Sequence, residues 1–89
     1  MEVILDCSKC SDRSSAHAYL KEQFGFPDYY GNNLDALYDC LMELSDCEIL
    51  LQNPAALYEM GEYGMALLET LKDAARDNPR LELSASNSN

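Results

Sequence analysis

Three short apolar runs, Val3-Ile4-Leu5, Ile49-Leu50-Leu51 and a third between Arg80 and Ser84, alternate with stretches of helical periodicity. Strands separated by helices are the pattern of parallel crossovers, because two parallel neighbours cannot be joined by a tight turn. The class is therefore α/β, a small three-stranded parallel sheet packed with helices, with right-handed connections. Continuous apolar runs, rather than strict alternation, predict strands covered on both faces. The 89 residues leave room for a single domain with a small core, placed at residues 1–84. The polar run over 85–89 has nothing to bury and reads as a disordered tail.

Between the strands the punctuation is local. Ser11 or Asp12 can cap a helix that runs to about Phe24, with Ala16, Leu20 and Phe24 turned to the core. His17 has no second ligand or catalytic partner in view and is expected at the surface or the helix edge. Gly25 suits the left-handed residue that closes a helix, and Pro27 prevents its resumption. After the second strand, Pro54 opens a helical stretch to about Met60. Gly61 and Gly64 interrupt it before a helix over 65–77, in which Leu67, Leu68, Leu71, Ala74 and Ala75 share one face. Asn78-Pro79 ends that helix.

The segment from Tyr29 to Leu44 stands apart. Leu34, Leu37, Leu41 and Leu44 fall on one face of a helix capped by Asn32 or Asn33, while Asp35, Asp39 and Glu43 stack on the other. Like charges four residues apart cost a helix roughly 0.2–0.5 kcal/mol per pair. No Lys or Arg lies between Asn32 and Asp46 to offset them. Such a ridge is poorly chosen for stability alone and well chosen for meeting something basic. Tyr29 and Tyr30, adjacent in the loop before it, should point different ways, one bracing the core and one presenting a ring and hydroxyl to a partner. On the last helix Asp73 and Asp77 have Lys72 and Arg76 interspersed, which fits a solvated mixed-charge face as readily as a functional one.

Charge narrows the partners. Sixteen acidic against six basic residues give a net charge of -10, which repels nucleic acid and anionic membranes, so direct binding to either is not expected. The start of the chain lacks a signal-peptide pattern and no stretch reaches membrane-spanning length, so the expected location is the cytoplasm. There the four cysteines, Cys7, Cys10, Cys40 and Cys47, read as reduced thiols. Cys7-x-x-Cys10 and the lone His17 do not make up a four-ligand zinc site, and no metal or cofactor is expected.

The contiguous run Tyr29-Tyr30-Gly31-Asn32-Asn33-Leu34-Asp35-Ala36-Leu37-Tyr38-Asp39-Cys40-Leu41 closely resembles the signature of the barstar family, intracellular inhibitors of secreted bacterial ribonucleases. The resemblance extends over nearly the whole chain in the order of its strands and helices. It implies an inhibitor, not an enzyme, that plugs the active site of a basic ribonuclease, with carboxylates standing in for RNA phosphates; a monomer is expected when free, though self-association is left open. It also implies a contact set of Tyr29, Asn33, Asp35 and Asp39, with Asp73 and Asp77 matching acidic positions on the later helix. Tyr38, Met42 and Glu43 complete the expected face. Asp39 is the expected phosphate-mimicking anchor, since a carboxylate can accept paired, charge-assisted hydrogen bonds from arginine. Tyr38 stands where the best-known member has tryptophan, and Met42 and Leu44 replace a small polar residue and another aromatic. The target ribonuclease is therefore left open.

Two other classes compete. An acidic module masking another basic, nucleic-acid-binding protein satisfies the same charge argument, and only a test of RNA cleavage separates it. An enzyme using Asp35 and Asp39 is disfavoured by the lack of a second histidine, a paired nucleophile or a glycine-rich phosphate loop.

Overall fold

The computed structural model describes residues 1–86. Its strands β1 (Glu2–Asp6), β2 (Cys47–Gln52) and β3 (Leu81–Ala85) form one parallel sheet in the order β1-β2-β3. The register sets Val3 beside Ile49 and Ile49 beside Leu83, so one face is apolar across all three strands. Helices α1 (Arg13–Phe24), α2 (Leu34–Met42) and α3 (Glu62–Asp77) and a 3-10 helix over Pro54–Met60 supply the cover.

The expectation of strands buried on both faces is corrected. Val3, Leu5, Ile49, Leu51 and Leu81 are buried, but Ile4 between them is 44 % exposed, and Leu50 is half-buried. The reason is topological. When successive crossovers share one hand and each new strand adds on the same side, both connections lie on the same face of the sheet. The opposite face carries the register row Glu2, Glu48 and Glu82. Side by side, like charges of this kind are tolerable only in water.

Caps define the helix ends. Asp12 accepts from Ser15 N at 2.8 Å while Ser15 Oγ accepts from Asp12 N at 3.1 Å, a reciprocal box that decides between the two candidate caps. Gly25, at φ 70°, closes α1 as expected. The break after the 3-10 helix falls at Gly61 alone, and α3 runs unbroken through Gly64, contrary to the interruption expected there. Two residues placed in the tail belong to the sheet instead: Ala85 is in β3 and Ser86 N donates to Leu51 O. The remainder of the expected tail, 87–89, lies outside the described residues.

Asn78 does more than stop α3. Its side chain is buried, its Nδ2 reaches Leu41 O at 3.1 Å and Leu44 O at 3.0 Å, and its Oδ1 accepts from Arg80 N. It thus gives Leu44 O a donor, adds a second donor to Leu41 O, which Leu44 N also reaches, and ties the end of α2 to the start of β3. Asn78→Ala should cost about 2–3 kcal/mol, because Leu44 O loses its donor and Arg80 N its acceptor at a site where the Asn78 side chain is buried. Urea denaturation should show a lower midpoint at unchanged slope. A loss below about 0.5 kcal/mol would mean that water reaches these carbonyls.

Candidate protein-binding face

A nine-residue helix such as α2 is marginal in isolation, and its stacked acids make it more so. Tertiary contacts hold it. Leu37 and Leu41 are fully buried, each contributing on the order of 1.5–3 kcal/mol. Asn33 caps the start, its Oδ1 accepting from Ala36 N at 2.7 Å and its Nδ2 donating to Gly31 O at 3.2 Å. Packing against α3 and the Asn78 clasp secure the other end. The acidic ridge therefore stands on a helix fixed from behind. Asp35, Asp39 and Glu43 are all exposed. Among the described residues, none of the three takes part in an ion pair.

The loop before α2 divides its two tyrosines as expected. Tyr30 is buried in a tilted ring contact with Phe26, which in turn stacks on Phe24 at 5.1 Å. Tyr29 is 87 % exposed. Beside it, Phe26, Pro27, Cys40 and Leu44 line a shallow groove together with Glu43. Burial pushes the Cys40 thiol up, with Glu43 and Asp39 adding to the effect.

Helix α3 lies alongside α2 and extends the acidic surface. The Tyr38 hydroxyl donates to Asp77 Oδ2 at 2.6 Å, joining the two helices. That bond raises the phenol's pKa, and the same bond, followed by Arg76, holds Asp77 below the ordinary carboxylate range. Arg76 also meets Asp73 Oδ1 at 3.0 Å and Asp77 Oδ1 at 3.2 Å. The later pair of acids thus carries its own counter-ion, and the ridge on α2 does not. Met42 is half-buried against the core, while Glu43 occupies the C-cap of α2.

One sequence expectation fails here. His17 is buried, at 1 % exposure, rather than at the surface. Its Nδ1 lies 2.7 Å from Tyr30 Oη and its Nε2 lies 2.5 Å from Tyr63 Oη. Two hydroxyls make an imidazole's burial affordable, and one of them comes from a residue 46 positions away. Desolvation, and then Arg13, lowers its pKa, which favours the neutral ring. Cys7 and Cys10 are free and buried, and desolvation first, with Cys10 and Asp6 adding, pushes Cys7 up to about 12. These are poor nucleophiles. Among the described residues no group of three or more His, Cys, Asp or Glu side chains could hold a metal ion, and no helix is long and apolar enough to cross a membrane.

The sequence model of the family described as "Barstar (barnase inhibitor)" matches residues 1–85, spanning every strand and helix above. The chain belongs to the barstar family. A protein of Bacillus subtilis (strain 168), named "Putative ribonuclease inhibitor YrdF", is 33 % identical over 79 residues, which cover 85 % of this chain and 87 % of that protein. The barstar family consists of ribonuclease inhibitors and not of enzymes. The three-stranded parallel sheet of this chain is the α/β arrangement that membership implies.

Proposed function

We propose that this chain inhibits a basic, secreted-type bacterial ribonuclease by covering its RNA-binding cleft with α2 and the loop before it. The observation that carries the proposal is the uncompensated row Asp35, Asp39 and Glu43, exposed beside Tyr29 on a helix whose opposite side is locked into the core. The carboxylates take the places of RNA phosphates, with Asp39 as the anchor. Tyr29 and Tyr38 supply aromatic area with few rotors, which slows dissociation once the faces meet. Asn33 contributes mainly by holding Gly31 and the first turn of α2, because both ends of its amide are already engaged. Asp73 and Asp77 form the outer part of the contact, and Met42 packs beneath it. Inhibition is by occlusion and forms no covalent bond. The setting is the cytoplasm, in keeping with thiols that stay free.

Opposite charge steers the encounter, raising association toward about 10⁸ M⁻¹s⁻¹ at low salt. The test is titration of RNA cleavage by a panel of basic bacterial ribonucleases at low and physiological salt. Stoichiometric inhibition that persists at physiological salt is expected. No inhibition across the panel would overturn the proposal.

Arg76 gives a second check. It is a cation on the face that must receive a cationic partner. Arg76→Ala should raise the association rate by roughly twofold to fivefold at low salt, with the gain shrinking as salt screens the face. Stopped-flow mixing reads this directly. An unchanged rate at low salt would place Asp73 and Asp77 outside the encounter surface.

A further inference from the structure

Tyr29 has almost no packing of its own, yet a binding surface must present it in one place. The segment between Gly25 and Asn33 has few backbone bonds to do this: Phe26 N to Lys21 O and Tyr30 N to Pro27 O. Asn33 Nδ2 also holds Gly31 O and Lys21 pairs with Asp28 at 3.5 Å, both at the surface, so the buried side chain next to Tyr29 is that of Tyr30. Its ring lies 4.9 Å from Phe26, a contact that is attractive but weakly directional. Its hydroxyl meets His17, and that bond fixes the ring along its length.

The imidazole suits this place for a specific reason. A neutral histidine carries a donor and an acceptor on opposite edges of a rigid ring, so it can bridge two hydroxyls that point toward one another. Here it joins Tyr30 in the loop to Tyr63 in the first turn of α3, from a position on α1. The Arg13 guanidinium lies 5.2 Å from the centre of the Tyr63 ring and covers that end of the relay. An apolar side chain would fill the same volume and leave the Tyr30 hydroxyl buried without a partner.

We propose that His17 is a positioning residue for the binding face. Through Tyr30 it holds the pose of Tyr29 and the entry into α2, although it touches no partner itself. Its effect on inhibition rests on the function proposed above, whereas its effect on the loop does not.

The experiment therefore has two readouts on His17→Leu, Tyr30→Phe and His17→Gln, with Val3→Ala as a core variant that lowers stability without touching the relay. In the free protein, amide hydrogen exchange over 29–33 should accelerate by about tenfold or more in His17→Leu and Tyr30→Phe, beyond the change in β2 amides. It should recover in part in His17→Gln, which can still reach one hydroxyl. With a ribonuclease that the unmodified chain inhibits, the complex should dissociate about tenfold faster while its association rate stays within twofold. Should His17→Leu fail to fold, Tyr30→Phe carries both readouts, since it removes one oxygen and keeps the ring. Loop exchange no faster than in Val3→Ala would overturn the positioning role. Faster exchange with unchanged dissociation would overturn its bearing on inhibition. If no ribonuclease is inhibited, the function proposal fails, and the exchange data still decide the role of His17 in the loop.

Discussion

Asp39→Ala should weaken ribonuclease inhibition by on the order of 10³-fold, while Glu43→Ala should cost less than about tenfold. The difference follows from place. Asp39 lies mid-ridge, one turn from Asp35 and one from Glu43, next in sequence to Tyr38, whose hydroxyl is tied to Asp77. A carboxylate at the centre of a contact is desolvated along with the cations it meets. Its removal leaves those cations buried and unpaired, which costs about 2–5 kcal/mol or more. Glu43, at the C-cap of α2, sits where a negative charge opposes the helix dipole. Its loss should cost little binding and slightly favour the fold. That one carboxylate dominates is carried over from the family resemblance, and the geometry bears on which one. Rates of association and dissociation at two salt concentrations separate the cases: the Asp39 effect should lie mainly in dissociation and persist in salt, the Glu43 effect mainly in association. Equal losses would indicate a diffuse charged patch with no anchor.

Gly64→Ala should destabilise the protein by about 3 kcal/mol or more, a large share of the 5–15 kcal/mol typical of a domain. Helix propensity alone predicts the opposite, a gain of about 1 kcal/mol for alanine in a helix interior. Packing reverses the sign. A Cβ on Gly64 would come 1.8 Å from Leu57 O, 2.9 Å from Leu57 C and 2.8 Å from Met60 Cβ. Two of those atoms are backbone, so no rotamer change relieves the overlap. The 3-10 helix would have to move as a unit, drawing the buried Leu57 out of the core. Chemical denaturation should show a much lower midpoint. A neutral or stabilised variant would mean that α3 and the 3-10 helix are less closely apposed than described.

Gly64 also shows where sequence reasoning about this chain stops. Glycine within a helical pattern reads as a break when only neighbours along the chain are considered, and as a point of close approach once the opposing carbonyl is seen. His17 is similar. It is expected at the surface or helix edge because no partner is visible along the chain, and the deciding partner, Tyr63, lies on another helix. The open face of the sheet went unread for a third reason. An apolar triplet such as Val3-Ile4-Leu5 looks the same whether one face is covered or two, and strand order decides which.

Most of the local chemistry was legible. The strand, helix, cap and acidic-ridge pattern, with Gly25, Leu37 and Leu41 in their places, follows from periodicity and from backbone preferences that act within a few residues, although it left the cap of α2 open between Asn32 and Asn33. So does the expectation that one of Tyr29 and Tyr30 turns in and the other out. The α/β class, the order of strands and main helices and the uncompensated charge of α2 all depend on spacing along the chain and could be read there. Folding is what pairs Arg76 with Asp73 and Asp77, joins α2 to α3 through Tyr38, clasps the end of α2 with Asn78 and lets His17 tie the loop to two helices. Each of these is a directional contact between groups far apart in sequence, and such a contact exists only once packing has brought its two ends within hydrogen-bonding distance.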